Sequence, residues 1–139
     1  MRKLLYLIPV VFVCSCAVPP PKPTVIKAPP EEITALTGEW REIKNQGNPV
    51  LREKNWLFRG STVTIDDGRE VYTGTFSLNN ETDPREIDFQ FEGHPVNQGI
   101  YKIDGDMLTI KVIDTAVSRA KDFELEDGYT LITCRREKK

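Results

Sequence analysis

The chain has 139 residues, enough for one domain of ordinary size. It carries 19 basic and 21 acidic residues, so its formal net charge is −2. A mildly acidic domain has no general attraction for nucleic acid, and a single histidine excludes a zinc site built on a histidine pair. Composition therefore favours one domain that has no nucleic-acid partner.

Residues 1–15 have the pattern of a secretory signal peptide. Arg2 and Lys3 form a short basic region, and residues 4–13 form an apolar run. That run is about half as long as a membrane-spanning helix. Pro9 and the prolines that follow the run argue against a buried helix. A basic start, a short apolar centre and small residues after it predict export from the cytoplasm.

The end of the apolar run resembles a bacterial lipobox. Val13, Cys14 and Ser15 stand at positions −3, −2 and −1 relative to Cys16. The resemblance implies cleavage after Ser15 and acylation of Cys16, which would attach the chain to a membrane. Ordinary cleavage that leaves Cys16 free is the alternative. In lipoproteins of bacteria with two membranes, a residue such as Ala17 after the cysteine implies the outer membrane, with the domain facing the periplasm.

Residues 16–30 are interpreted as the lipidated cysteine and a proline-rich tether. The segment from 17 to 30 holds six prolines, which favour an extended polyproline II chain with a reach of about 40 Å. Removal of Arg2 and Lys3 with the signal peptide lowers the basic count from 19 to 17 against 21 acids, a net charge of −4. With Cys16 acylated, Cys134 has no disulfide partner in the chain, so a hydrophobic core must stabilise the domain.

The predicted domain covers residues 31–139 and begins with a short helical turn. Residues 31–36 follow two prolines and start with Glu31 and Glu32, as the first turn of a helix prefers. Beyond Gly38, short β-rich runs alternate with turn signals, the pattern of an all-β protein. The predicted strands are residues 39–44, 56–66, 69–78, 85–92, 99–103, 107–113, 122–126 and 129–136.

Turn signals link these strands into hairpins. Gly60-Ser61 is either a bulge or a two-residue turn within residues 56–66, which gives eight or nine strands. Two Asp-Gly pairs are type I′ hairpin signals: Asp104-Gly105 and Asp127-Gly128. Consecutive short links favour an antiparallel up-and-down barrel, since closing the sheet removes its exposed edges.

The start of this barrel resembles the first strand of lipocalins, which are calycin-type barrels. Gly38-Glu39-Trp40 matches their Gly-x-Trp element. In lipocalins the tryptophan packs at the closed end of the barrel near an arginine of the last strand. The resemblance implies a structural barrel-end pair of Trp40 with Arg135, or with Arg136.

A wider pattern resembles the lipocalin-like domain of uncharacterised function found in planctomycete paralogues, over roughly residues 36–138. The matching segments are residues 74–78, 84–88, 99–108, 119–123 and 135–137. Ala120 stands where that family usually has proline, and residues 107–113 lack a cysteine that is frequent there. The resemblance implies a lipocalin-like barrel and provides no catalytic residue.

Aromatic side chains are the feature most suited to binding. An eight-stranded barrel can be filled by its own side chains or hold one small ligand. The hypothesis is a lipid-anchored barrel whose open end binds a small apolar or amphipathic molecule through Trp56, Phe58, Tyr72, Phe76, Phe89, Phe91 and Tyr101. The alternative is a filled barrel that acts as an envelope structural or protein-interaction module through residues 45–55 and 114–120. The sequence does not indicate an oligomeric state.

No pattern of catalytic residues can be identified. His94 lies beside Pro95 in a predicted loop, and Asp104 and Asp106 fit a turn better than a calcium site. Cys134 lies in an apolar run, as a small buried side chain would. We therefore expect a non-enzymatic protein without metal or cofactor.

Overall fold

The computed structural model describes residues 30–138. The signal peptide, Cys16 and all of the tether before Pro30 lie outside the described residues, so processing and acylation stay predictions. Within residues 30–138 there are one helix and nine strands. They are α1 (Pro30–Leu36), β1 (Gly38–Asn45), β2 (Asn48–Pro49), β3 (Asn55–Arg59), β4 (Thr62–Asp66), β5 (Val71–Asn79), β6 (Arg85–Phe91), β7 (Asn97–Asp104), β8 (Met107–Ile113) and β9 (Tyr129–Arg136).

The strands form a closed antiparallel barrel. Each strand from β3 to β8 pairs with the next in sequence, and β1 pairs with both β3 and β9. Eight strands therefore close the barrel, and the two-residue β2 pairs only with the end of β1. The predicted all-β, lipocalin-like, up-and-down architecture with a short preceding helix is confirmed.

Alternating side chains fill the interior. On β6, Ile87 and Phe89 are buried, and they lie opposite Leu78 and Phe76 of β5. Strict alternation directs every second residue of a strand to one face of the sheet. One hydrophobic cluster with members from α1 and all the barrel strands results.

The closed end of the barrel, defined here as the end covered by α1, depends on Trp40. Its indole Nε1 donates a hydrogen bond to the carbonyl oxygen of Leu36 at 2.8 Å, and its side chain is fully buried. The Arg136 guanidinium lies 4.1 Å from the centre of the Trp40 ring and donates to the carbonyls of Ala35 at 2.6 Å and Thr37 at 3.0 Å. These contacts attach the end of α1 to the first and last strands.

The expected pairing of Trp40 with Arg135 is corrected to Arg136. In the register between β1 and β9, Trp40 lies directly opposite Arg136. Directly opposite residues share a face of the sheet. Arg135 lies opposite Arg41, and its side chain is exposed.

A polar cluster that joins α1 to β6 and β7 also closes this end. The Glu32 carboxylate accepts hydrogen bonds from Arg85 at 2.7 and 2.9 Å and from the Tyr101 hydroxyl at 2.9 Å. Arg85 also lies 5.2 Å from the centre of the Tyr101 ring. Burial, followed by the hydrogen bond to Glu32, raises the pKa of Tyr101 well above its usual range.

The strand register gives the positions of two of the predicted turns. Gly60 and Ser61 are the two loop residues between β3 and β4, so they form a turn and not a bulge. Between β7 and β8 the loop residues are Gly105 and Asp106, one position later than predicted, since Asp104 pairs with Met107. Gly105 has φ of 60° and Asp106 does not have a positive φ, whereas a type I′ turn needs both positive.

The predicted strand at residues 122–126 is wrong, and so is the hairpin at Asp127-Gly128. These residues belong to a long loop, residues 114–128, called the outer loop here, which joins β8 to β9. Both edges of β8 and of β9 are already paired within the closed barrel, so no edge is free for another strand. The outer loop instead covers the outside of the wall.

Two buried or half-buried cations hold the outer loop on the wall. Lys111 of β8 has no exposed surface, and its ammonium donates to the carbonyl of Glu124 at 2.7 Å and lies 3.2 Å from the Glu126 carboxylate. Arg119, on the loop, donates to Asp88 at 2.6 Å and to the carbonyl of Gly99 at 2.7 Å. Asp122 and Glu126 therefore contact Lys111 through their carboxylates and Glu124 through its backbone carbonyl, and none of the three belongs to a strand.

Candidate functional site

A groove opens at the end of the barrel opposite α1. The starts of β5 and β7 and the ends of β6 and β8 meet there. Its volume is about 500 Å³. We call it the open-end groove; it is lined chiefly by Tyr72, Phe91, Val96, Asn97, Ile113 and Asp114, with His94, Pro95 and Gln98 completing it.

Strand alternation places Phe91 in this groove. It follows Phe89 on the same face of β6, and the two rings stack with centres 6.3 Å apart. Gly74 of β5 lies opposite Phe91, where a Cβ atom would be 2.7 Å from the Phe91 ring and 2.4 Å from the Gln90 carbonyl oxygen. Only glycine leaves the space that the ring and the neighbouring backbone occupy.

Tyr72 forms the opposite side of the groove. It lies two residues before Gly74, so it shares the interior face of β5 at the point where the strand begins. Its ring is 42% exposed, and its hydroxyl donates a hydrogen bond to Glu70. That hydrogen bond to a carboxylate raises the pKa of Tyr72.

The seven aromatic residues proposed for binding do not form one site. Five of them belong to the packed core: Trp56, Phe58, Phe76, Phe89 and Tyr101. The ring centres of Phe58 and Phe76 are 5.1 Å apart, and those of Trp56 and Phe89 are 5.8 Å apart. Such close ring contacts stabilise the core and occupy the space between the strands. Only Tyr72 and Phe91 line the open-end groove.

One polar atom in the groove lacks a partner. The Asn97 side-chain oxygen, Oδ1, is buried, and no donor reaches it from any part of residues 30–138. Buried polar atoms are normally hydrogen-bonded, so an exception needs an explanation. Sequence reasoning missed Asn97 because it placed the start of this strand at residue 99 and contained no signal that distinguished Asn97 from a loop residue.

Apolar side chains are also exposed around the groove. Val96 is 52% exposed and lines the groove with Tyr72, which is 42% exposed, whereas Val71 lies on the outer face of β5 and lines a different depression. Single exposed apolar residues are ordinary on a protein surface, so these two side chains are informative only together with the concave shape of the groove. His94, expected in an exposed loop, is exposed and lies at the edge of the same groove.

The buried carboxylate of Glu42 is saturated by the protein itself. It accepts hydrogen bonds from Trp56 Nε1 at 3.0 Å and Asn45 Nδ2 at 2.9 Å, and Lys54 Nζ lies 3.7 Å away.

Burial, with a contribution from Glu42, raises the pKa of the Cys134 thiol well above its usual range. The thiolate is the reactive form of cysteine, so Cys134 is a poor nucleophile.

The described residues hold neither a cluster of metal ligands nor a membrane-spanning helix. Among residues 30–138, no three histidine, cysteine or acidic side chains lie close enough to hold a metal ion. The helix found in this part of the chain is also too short to cross a membrane. The absence of a metal or cofactor stays an expectation.

Comparison with known proteins does not assign a family. No protein-family model matches the chain, and no curated protein or solved structure matches it. The function is therefore proposed from the barrel and its open-end groove.

Proposed function

We propose that the protein is a lipid-anchored, non-enzymatic barrel that binds one small apolar or amphipathic molecule in the open-end groove. The observation that carries this proposal is a concave, mainly apolar site in which Tyr72 is exposed and Phe91, which packs against the core, keeps part of its surface exposed. A volume of about 500 Å³ lies within the usual range for small-molecule sites.

The packing of the core supports this location for the ligand. Trp56, Phe58, Phe76 and Phe89 contact one another across the interior. A ligand in the middle of the barrel would have to displace these buried rings, which would cost much of the core stability. The groove accepts a ligand without that displacement.

The N-terminal segment supports the proposed location of the protein. The lipobox-like residues before Cys16 and the proline-rich tether belong together as an anchor and a spacer. The barrel is then held outside the cytoplasm, on the periplasmic face of the outer membrane. Mass spectrometry of protein from its own cells should find acyl chains on an N-terminal Cys16, and an uncleaved or unmodified start would contradict the anchor.

Binding can be tested with a neutral dye. The fluorescence of Nile red should rise and saturate when the dye binds the full chain carrying Cys16→Ser. The substitution removes the thiol that would be acylated, so no attached acyl chain competes with the dye for apolar sites. Val96→Asp places a charge beside the groove and should weaken the dye affinity about tenfold, which corresponds to about 1.4 kcal/mol.

Val117→Asp is the matched control. Val117 lies in the outer loop, is fully exposed and does not line the groove. It should leave the affinity unchanged. A signal that does not saturate, or an equal loss in both variants, would contradict binding in the groove.

A protein-interaction module is the second candidate. Leu51 and Val117 are fully exposed, and they lie in the two connections, residues 45–55 and 114–120, that were proposed to contact other proteins. Crosslinking in whole cells from photoreactive residues at these two positions should then give discrete adducts. If adducts form and Leu51→Asp abolishes them while Nile red does not bind, this candidate replaces the first.

A further inference from the structure

The open-end groove is shallow, because its lining comes from the outermost layer of the barrel. Tyr72 lies near the start of β5, and Phe91 is the last residue of β6. The other lining residues are 94–96 in the loop after β6, 97–98 at the start of β7, and 113–114 at the end of β8. A ligand in the groove therefore contacts the ends of the strands.

The ring of Phe91 forms the floor of the groove. Phe89 is the next residue inward on the same face of β6, and the two rings stack with centres 6.3 Å apart. Phe89 is 2% exposed and does not line the groove, whereas Phe91 is partly exposed and does. The groove therefore ends at the Phe91 ring, and the core begins directly behind it.

Neighbouring groups hold the floor in place. Gly74 lies opposite Phe91 on β5, and the ring occupies the space where a Cβ atom would lie, 2.7 Å away. On the inner side, the centre of the Phe89 ring is 5.8 Å from that of Trp56 and 6.5 Å from that of Phe58. Protein interiors are close-packed, so the Phe91 ring can move inward only if these rings also move.

We infer that Phe91 sets the depth of the open-end groove and limits its ligand to a compact apolar molecule, with a single ring or a short chain. This inference rests on the proposed function and deepens it, because it names the size class of the ligand and the residue that selects it. The hydrophobic contribution to binding grows with the apolar area removed from water. An extended acyl chain would bury its first carbons against Tyr72 and Phe91, and the carbons beyond them would stay in water.

A series of straight-chain alcohols, from 1-butanol to 1-decanol, tests the size limit. Each alcohol is measured by displacement of Nile red from the full chain carrying Cys16→Ser. The affinity should rise about fourfold for each carbon that is buried, which corresponds to about 0.8 kcal/mol per CH₂ group. It should level off before 1-decanol, because the later carbons find no apolar surface to cover.

Two truncations of the floor assign this limit to Phe91. Phe91→Ala leaves an apolar cavity of the kind that admits small apolar molecules, so the chain length at which the affinity levels off should increase by about two carbons. Phe91→Leu leaves a smaller cavity and should increase it by about one carbon. The second variant disturbs the packing on Phe89 less, so it keeps the test available if Phe91→Ala does not fold.

Tyr72→Leu is the matched control. It removes an aromatic ring from the exposed side of the same groove and leaves the floor intact. It should weaken the binding of all the alcohols by a similar factor and keep the chain length at which the affinity levels off. Far-ultraviolet circular dichroism checks that the variants are folded, and the alcohol series on the unsubstituted groove does not depend on any of them.

The outcomes separate this inference from the proposed function. An affinity that rises through 1-decanol without levelling off overturns the size limit, while binding in the groove stands. A levelling length that is unchanged in the Phe91 variants, or that increases equally in Tyr72→Leu, overturns the role of Phe91. If no alcohol displaces the dye, or if the dye does not bind, the proposed function and the inference fail together.

Discussion

The two ends of the barrel are built differently. At the closed end, Trp40, Arg136 and Glu32 are each hydrogen-bonded, and Trp40 is fully buried beneath α1. At the open end, Tyr72 is 42% exposed, and Asn97 has a buried oxygen that no donor from residues 30–138 reaches. The three polar side chains of the closed end are therefore hydrogen-bonded, whereas one buried polar atom at the open end has no donor within residues 30–138.

Under the proposed function, this difference corresponds to a division between stability and binding. Groups that satisfy each other in the folded chain contribute to its stability but offer nothing to a ligand. Exposed apolar surface and an unpaired acceptor reduce stability, and natural proteins retain such features chiefly at functional sites. The closed end should therefore respond to substitution through unfolding, and the open end through binding.

Truncation at the closed end should have the largest effect. Trp40→Ala leaves a large cavity between α1 and the barrel and should lower the free energy of unfolding by about 3–5 kcal/mol. At the open end, Val96→Ala removes two exposed methyl groups and should change the free energy of unfolding by less than about 0.5 kcal/mol. Urea unfolding of both variants checks the contrast, and a loss of similar size at the two ends would refute it.

The two arginines of β9 sharpen the assignment of the closed end. Arg136→Leu loses the contact with the Trp40 ring and two hydrogen bonds to the carbonyls at the end of α1, so it should cost about 2 kcal/mol. Arg135→Leu, at an exposed position, should cost less than about 0.5 kcal/mol. Equal losses of unfolding free energy for the two variants, measured in urea, would contradict the assignment of Arg136 to the closed end.

Two tyrosines that are hydrogen-bonded to glutamates, Tyr72 and Tyr101, should give the smallest contrast, in alkaline solution. Burial and the hydrogen bond to Glu32 raise the pKa of Tyr101, whereas an unfolded tyrosine titrates near a pKa of about 10. Above that pH the unfolded chain releases a proton that the folded chain keeps, so the stabilisation present below about pH 10 is lost as pH rises.

Tyr101→Phe should therefore flatten the fall in unfolding free energy between about pH 9 and pH 11. Tyr72 is the control at the open end: its pKa is also raised, through Glu70, but solvent screens this exposed pair. Tyr72→Phe should change the slope less. A larger change for Tyr72→Phe would contradict the assignment of Tyr101 to the satisfied end.

Much of the fold followed from local patterns. The alternation of Ile87, Phe89 and Phe91 predicted a strand with one buried face, and the structure has β6 there. The predicted limits of the strands at residues 107–113 and 129–136 agree with β8 and β9. These features depend on side-chain periodicity and on turn residues, and both can be identified from short stretches of the sequence.

The candidate site was predictable only in part. Tyr72 and Phe91 belonged to the proposed aromatic set, but periodicity gives the face of a residue and not its height in the barrel. Phe89 and Phe91 share a face, yet Phe89 is 2% exposed in the core while Phe91 reaches the groove. The distance from the strand end depends on the register with the neighbouring strands, which is a long-range property.

The sequence alone determined an all-β chain with a short leading helix, because these depend on adjacent residues, and the export of the chain stays a prediction. Only the tertiary structure decided that residues 122–126 contact Lys111 instead of forming a strand, since a closed barrel leaves no free edge. It also decided that Arg136 contacts Trp40 and that Asn97 Oδ1 lacks a donor within residues 30–138. Each of these outcomes depends on which residues lie opposite one another after the barrel closes.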